Sequence, residues 1–138
     1  MIQPDKDGIT WCESYRRYDH GPITRIGVRA GEVIVDMVFD NATCHVRGHA
    51  HAFPHPTQVL EGEVLMHAGD AEHRLKAGET LVVPAMVMHD IFSLTDTAHV
   101  RCVHQDARVD PKDIHNGSIP LEWLSQLVAH AAEEKEAE

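Results

Sequence analysis

This 138-residue chain has no run of about 18 consecutive apolar residues, so no segment is expected to cross a membrane as a helix. Its first ten residues, MIQPDKDGIT, also lack an apolar stretch, and no signal peptide is indicated. Cysteine is scarce and odd in number. Cys12, Cys44 and Cys102 stand far apart, which argues against a secreted disulfide framework and for a reducing, cytoplasmic setting. Positive charge is also short: 12 Lys and Arg oppose 22 Asp and Glu, for a formal net charge of -10. Without a basic stripe or interleaved aromatics there is no electrostatic footprint for nucleic acid, so the expected partner is a small molecule.

What the chain does have is histidine, 12 residues of it, and four of them are patterned. His49, His51 and His55 lie two and four residues apart, and His89 follows at the end of a second segment. On an extended strand, residues two apart project from one face, so His49 and His51 are able to aim both rings at one ion. Turn chemistry recurs between these histidines: Glu61 and Gly62, then Ala68 to Asp70, then Lys76 to Gly78. The first of these is expected to close a hairpin and the last to lead into the apolar strand Thr80 to Val83, which Pro84 ends. Upstream, Val33, Val35, Met37 and Phe39 alternate along a strand that should line a core.

These segments resemble the two motifs of the cupins. The first, G-x5-H-x-H-x3/4-E-x6-G, is matched by His49, His51, His55 and Gly62, and the second, G-x5-P-x-G-x2-H-x3-N, by Gly78, Pro84 and His89. Thr43 stands at the first glycine, His55 replaces the glutamate, Met86 the second glycine, and Ser93 the asparagine. The likeness spans residues 25–108 and is nearest to the small four-histidine, manganese-binding cupins. The LEGE and PAMVMH segments also look like small cupins that open unsaturated uronate rings. The resemblance implies one all-β domain, a jelly-roll barrel of two antiparallel sheets. An arm and strand over 1–24 precede it, and a connection with an amphipathic C-terminal helix over 109–138 follows. It also implies one divalent transition metal, manganese or iron first and nickel, copper or zinc as alternatives, held by His49, His51, His55 and His89. Gln58 is the alternative ligand. A homodimer through the arm and the helix is expected.

Around that site, His45 shares its alternation with His49 and is a candidate to support the ligands or to carry a proton. Matching the last strand to the small cupins puts Arg101 at a pocket-lining position, where it would grip a carboxylate; an exposed arginine on an edge strand is the other reading. Arg101, as that grip, and His104, which with His45 is a candidate to transfer a proton, are the candidate catalytic residues. Arg16 and Arg17 read as a solvated face. Three functions remain open: an oxygen-dependent oxidoreductase of dioxygenase type, ranked first on the ligand pattern, since His55 in place of glutamate removes a negative ligand and a possible base and leaves open coordination positions; a redox-neutral isomerase, lyase or cyclase, which needs a proton carrier; and a binding module without turnover.

Overall fold

The computed structural model describes residues 4–11, 16–17, 21–29, 32–42, 44–49 and 54–104, with residues 16 and 47–49 as backbone only. The expected connection and helix over 109–138 lie outside the described residues.

Eleven strands are described: β1 (Thr10–Trp11), β2 (Arg16–Arg17), β3 (Ile23–Arg29), β4 (Glu32–Phe39), β5 (His45–His49), β6 (His55–Glu61), β7 (Glu63–Ala68), β8 (Ala71–Lys76), β9 (Thr80–Val83), β10 (His89–Ser93) and β11 (Ala98–His104). They form two antiparallel sheets. The larger runs β1-β3-β4-β11-β6-β9, with β2 also paired to β3, and the smaller runs β5-β10-β7-β8. Most neighbours are distant in sequence, as a jelly roll requires, because the chain alternates between the two layers.

Strand alternation sorts side chains between the layers. Val33, Val35, Met37 and Phe39 of β4, Val59 of β6, and Val100 and Cys102 of β11 meet Val64, Met66, Leu75 and Ile91 of the small sheet. Each aliphatic side chain buried this way contributes about 1.5–3 kcal/mol. The core is therefore aliphatic, as a chain this poor in aromatics must make it.

The turns behave differently from one another. Gly69, at φ 62, closes the β7–β8 hairpin, with Ala68 opposite Ala71. Gly62, at φ 76, does not close a hairpin: β6 pairs with β11 and β9, whereas β7 pairs with β10 and β8. The expected LEGE hairpin is thus a crossing from one sheet to the other. A Cβ at Gly62 would run into the carbonyl oxygen of Thr97, so this crossing needs glycine for space as well as for conformation.

Candidate metal and histidine site

Three strand ends converge at one end of the barrel. His55 begins β6, His89 begins β10 and His104 ends β11. On β6 and β11 the inward alternation runs through Thr57 opposite Cys102, so one further step along each strand brings in His55 and His104. From the opposing sheet, His89 shares its face with Ile91 and Ser93, which are likewise buried. The rings meet between the layers. His55 and His89 centroids are 5.0 Å apart and His55 and His104 5.2 Å, with the second pair stacked at 29°. All three side chains are buried, at 1%, 3% and 3% exposure respectively.

Burial of this kind disfavours positive charge, and it pushes the imidazole of His89 below its ordinary range. His89 Nδ1 lies 3.1 Å from the carbonyl oxygen of Val87, which only accepts, so Nδ1 carries the proton and Nε2 keeps its lone pair. A neutral imidazole with one nitrogen tied to a carbonyl is the form in which histidine binds a metal. The loop that supplies this carbonyl is itself held, through the Gly69 amide donating to Met88 O at 2.7 Å. Within it, Met86 sits at φ 64 with its side chain 73% exposed. This left-handed backbone favours glycine, the residue at the matching motif position, although here the residue is methionine.

The donor set fits a divalent transition metal, since neutral, buried imidazoles are its natural ligands. Among the described residues, no three His, Cys, Asp or Glu side chains are grouped tightly enough to hold an ion by themselves. His49 is described in backbone only, as the register partner of His89, and His51 lies outside the described residues. His55 and His89 are the expected ligands whose side chains the structure brings together.

Three other expectations meet a different geometry. Between β10 and β5 the register runs from His89 opposite His49 to Ile91 opposite Val46, two residues against three, so β5 carries a bulge. That extra residue breaks the alternation linking His45 to His49. His45 is instead exposed and stacks on Phe92 at 5.2 Å and 13°. Gln58 belongs to the outward face of β6 and lines a cavity there, so it is not beside the histidines.

Arg101 is likewise on the opposite face of β11 from His104. It is buried, and Asp36 holds it: Nε donates to Oδ1 at 2.7 Å and Nη2 to Oδ2 at 3.0 Å. His99 Nε2 completes the cluster at 3.0 Å from Asp36 Oδ2. Burial alone raises the Asp36 carboxyl, but hydrogen bonds from His99 and Arg101 outweigh it and leave the group below the usual range. The placement of Arg101 in the histidine pocket is therefore corrected, because odd and even residues of a strand face opposite ways. Sequence reasoning overlooked Asp36. The available signal was a set of polar residues, Arg25, Asp36, Gln58 and Arg101, at matching outward positions of four neighbouring strands.

No family model matches the chain, and no curated protein matches it. Solved structures do. An RmlC-like cupin from Shewanella frigidimarina is 24% identical over 80% of this chain and 98% of its own, with a TM-score of 0.60. KdgF from a Halomonas species is 17% identical over 75% and 90%, with a TM-score of 0.61. Peruvianin-I, a cysteine peptidase from Thevetia peruviana latex, is 15% identical over 68% of each chain, with a TM-score of 0.58. Thiol chemistry is a poor match to the described cysteines. Burial drives the Cys102 thiol up to about 11, and its Sγ lies 3.6 Å from Thr57 Oγ1 inside the core, while burial also raises Cys44.

Proposed function

The chain folds as a cupin, and on that footing we propose that it is a small metal-dependent enzyme catalysing a redox-neutral isomerase or lyase reaction on a small organic substrate. The observation that carries this reading is His104, buried beside His55 with ring centroids 5.2 Å apart. An isomerase or lyase needs a proton carrier next to its metal, and imidazole is the side chain whose ordinary titration falls near neutrality. Of the two histidines the sequence offered as proton carriers, His45 is exposed against Phe92 and His104 lies beside His55, so His104 takes the role.

His49, His51, His55 and His89 would hold the ion, and manganese, iron, nickel, copper or zinc all suit such a ligand set. The metal, once bound, would polarise a carbonyl or hydroxyl of the substrate. His89, kept neutral by burial and oriented by Val87 O, presents Nε2. His104 accepts a proton from substrate and returns it at a neighbouring atom. The surrounding aliphatic core excludes water from the inner side of the pocket. The LEGE and PAMVMH segments, which resemble those of small cupins that open unsaturated uronate rings, support such rings as a first substrate class.

The test is to load the protein with manganese or zinc, supply unsaturated uronates and simple enols, and follow product with and without oxygen. Equal yield in both, with zinc active, is the expected result. Product formation matched by oxygen uptake would overturn it in favour of an oxygen-dependent oxidoreductase, which four neutral ligands and two remaining coordination positions also suit. A homodimer through the N-terminal arm and C-terminal helix belongs to the same proposal.

A further inference from the structure

Sulfur is divided sharply between the inside and the outside of this chain. Of its five methionines, Met37, Met66, Met86 and Met88 lie among the described residues. Met37 and Met66 sit in the aliphatic core at 4% and 0% exposure, whereas Met86 and Met88 stand 73% and 57% exposed in the loop that leads into His89. We propose that Met86 and Met88 form a reversible oxidation site beside the histidine pocket, at which each thioether takes one oxygen atom from hydrogen peroxide and becomes the sulfoxide. The inference does not depend on what the histidine pocket does.

The step is a two-electron oxidation of sulfur. A sulfur lone pair attacks one peroxide oxygen, an S–O bond forms as the O–O bond breaks, and the second oxygen leaves with both protons as water. Thiols ordinarily compete for the same oxidant, but their reactive form is the thiolate. Cys44 and Cys102 are buried, and burial keeps both protonated, Cys102 with its titration pushed up to about 11. Among the described residues, the sulfur that peroxide can reach is therefore thioether rather than thiol.

The loop is built to take the added oxygen without moving. The Gly69 amide donates to Met88 O at 2.7 Å, Val87 packs against the core between the two methionines, and its carbonyl oxygen lies 3.1 Å from His89 Nδ1. The backbone is thus anchored while both side chains project into solvent. A sulfoxide is polar, so it disrupts a core but is well solvated at these two positions. Conversion changes the surface beside the pocket from apolar to polar and leaves His89 in place. The exposure that admits peroxide also admits the reductases that act on the two sulfoxide epimers, which makes the change reversible.

The experiment treats the full chain with hydrogen peroxide and locates added oxygen atoms by peptide mass spectrometry. Met86 and Met88 should each gain one oxygen at least about tenfold faster than Met37 and Met66, a ratio that about 1.4 kcal/mol of local opening free energy supplies. They should also react ahead of Cys44 and Cys102. In urea the four methionines should react at a common rate, because their order comes from burial. Methionine sulfoxide reductases A and B with dithiothreitol should remove both oxygens from the folded chain, and the oxidised protein should melt within about 3 °C of the parent. Met86→Leu combined with Met88→Leu should abolish the fast reaction without transferring it to Met37 or Met66. The proposal is overturned if Cys44 or Cys102 reacts first, if Met37 or Met66 keeps pace, if the order persists in urea, if the reductases leave the sulfoxides of the folded chain in place, or if oxidation at Met86 and Met88 unfolds the protein.

Discussion

Arg101 and Asp36 are register partners on β11 and β4 and are joined by two hydrogen bonds, 2.7 and 3.0 Å, on the outward face of the large sheet. Removing Arg101 takes two hydrogen bonds from buried Asp36 and leaves it His99 at 3.0 Å and Arg25 at 3.8 Å, too little to compensate the charge fully. Arg101→Met should therefore cost about 3–5 kcal/mol of stability, and Asp36→Leu combined with Arg101→Met should recover most of it. Urea unfolding of the single and double variants measures both. A single variant as stable as the parent would contradict the buried pairing.

The depressed Asp36 carboxyl fixes a sign for acid unfolding. A group whose folded-state titration lies below its unfolded value stabilises the fold above the unfolded value, near about 3.9, and loses that contribution as pH falls through the lower folded one. Asp36→Asn should flatten the loss of stability below about pH 4. Denaturant midpoints collected from pH 2 to pH 6 decide the matter.

Met86 holds a left-handed backbone at φ 64 with a side chain that is mostly in solvent. Relieving the Cβ conflict gains about 1–2 kcal/mol, and the added freedom of glycine in the unfolded chain takes back roughly half. Met86→Gly should thus raise stability by about 0.5–1 kcal/mol and leave metal binding intact. Calorimetric melting of the two proteins, each titrated with metal, tests it.

Gly27 lies where a Cβ would come within 2.7 Å of Ile9 Cγ2, 2.8 Å of Trp11 Cε3 and 2.9 Å of the Thr10 carbonyl oxygen. The last of these is backbone and has little room to yield. Gly27→Ala should push β1 from the sheet, expose Trp11 and shift its emission to the red, with the histidine pocket unaffected. Unshifted emission would mean that β1 does not pack as described.

Metal affinity should fall with pH because protons compete for imidazole nitrogen. The decline should set in near about pH 6.5 and extend lower for His89, which burial keeps neutral. His55→Ala should weaken binding by a further factor of about 10–100 or more, whereas His104→Gln should retain metal and lose turnover by about 10²–10⁴. Manganese or zinc titrations at several pH values, paired with steady-state rates, separate the two residues. Loss of metal in His104→Gln would make it a ligand instead.

The sequence by itself determined what depends on neighbours along the chain. The alternation of Val33, Val35, Met37 and Phe39 marked an inward face, and Gly62, Gly69 and Gly78, all at positive φ, fell where turns were expected. His55 and His89, at motif positions of strand starts, could be singled out for the same reason. What only the tertiary structure decided involves pairings between distant residues. Gly62 begins a sheet crossing rather than a hairpin, because β6 finds its partners in β11 and β9. One extra residue in β5 reverses the parity that tied His45 to His49, and nothing local to those residues announces a bulge that is defined by its partner strand. The inward side of β11 was undecidable from its own mixed alternation. It was settled when Asp36 on β4 claimed Arg101 for the outer face, since a buried carboxylate must be paired, and that choice delivered His104 to the histidine pocket.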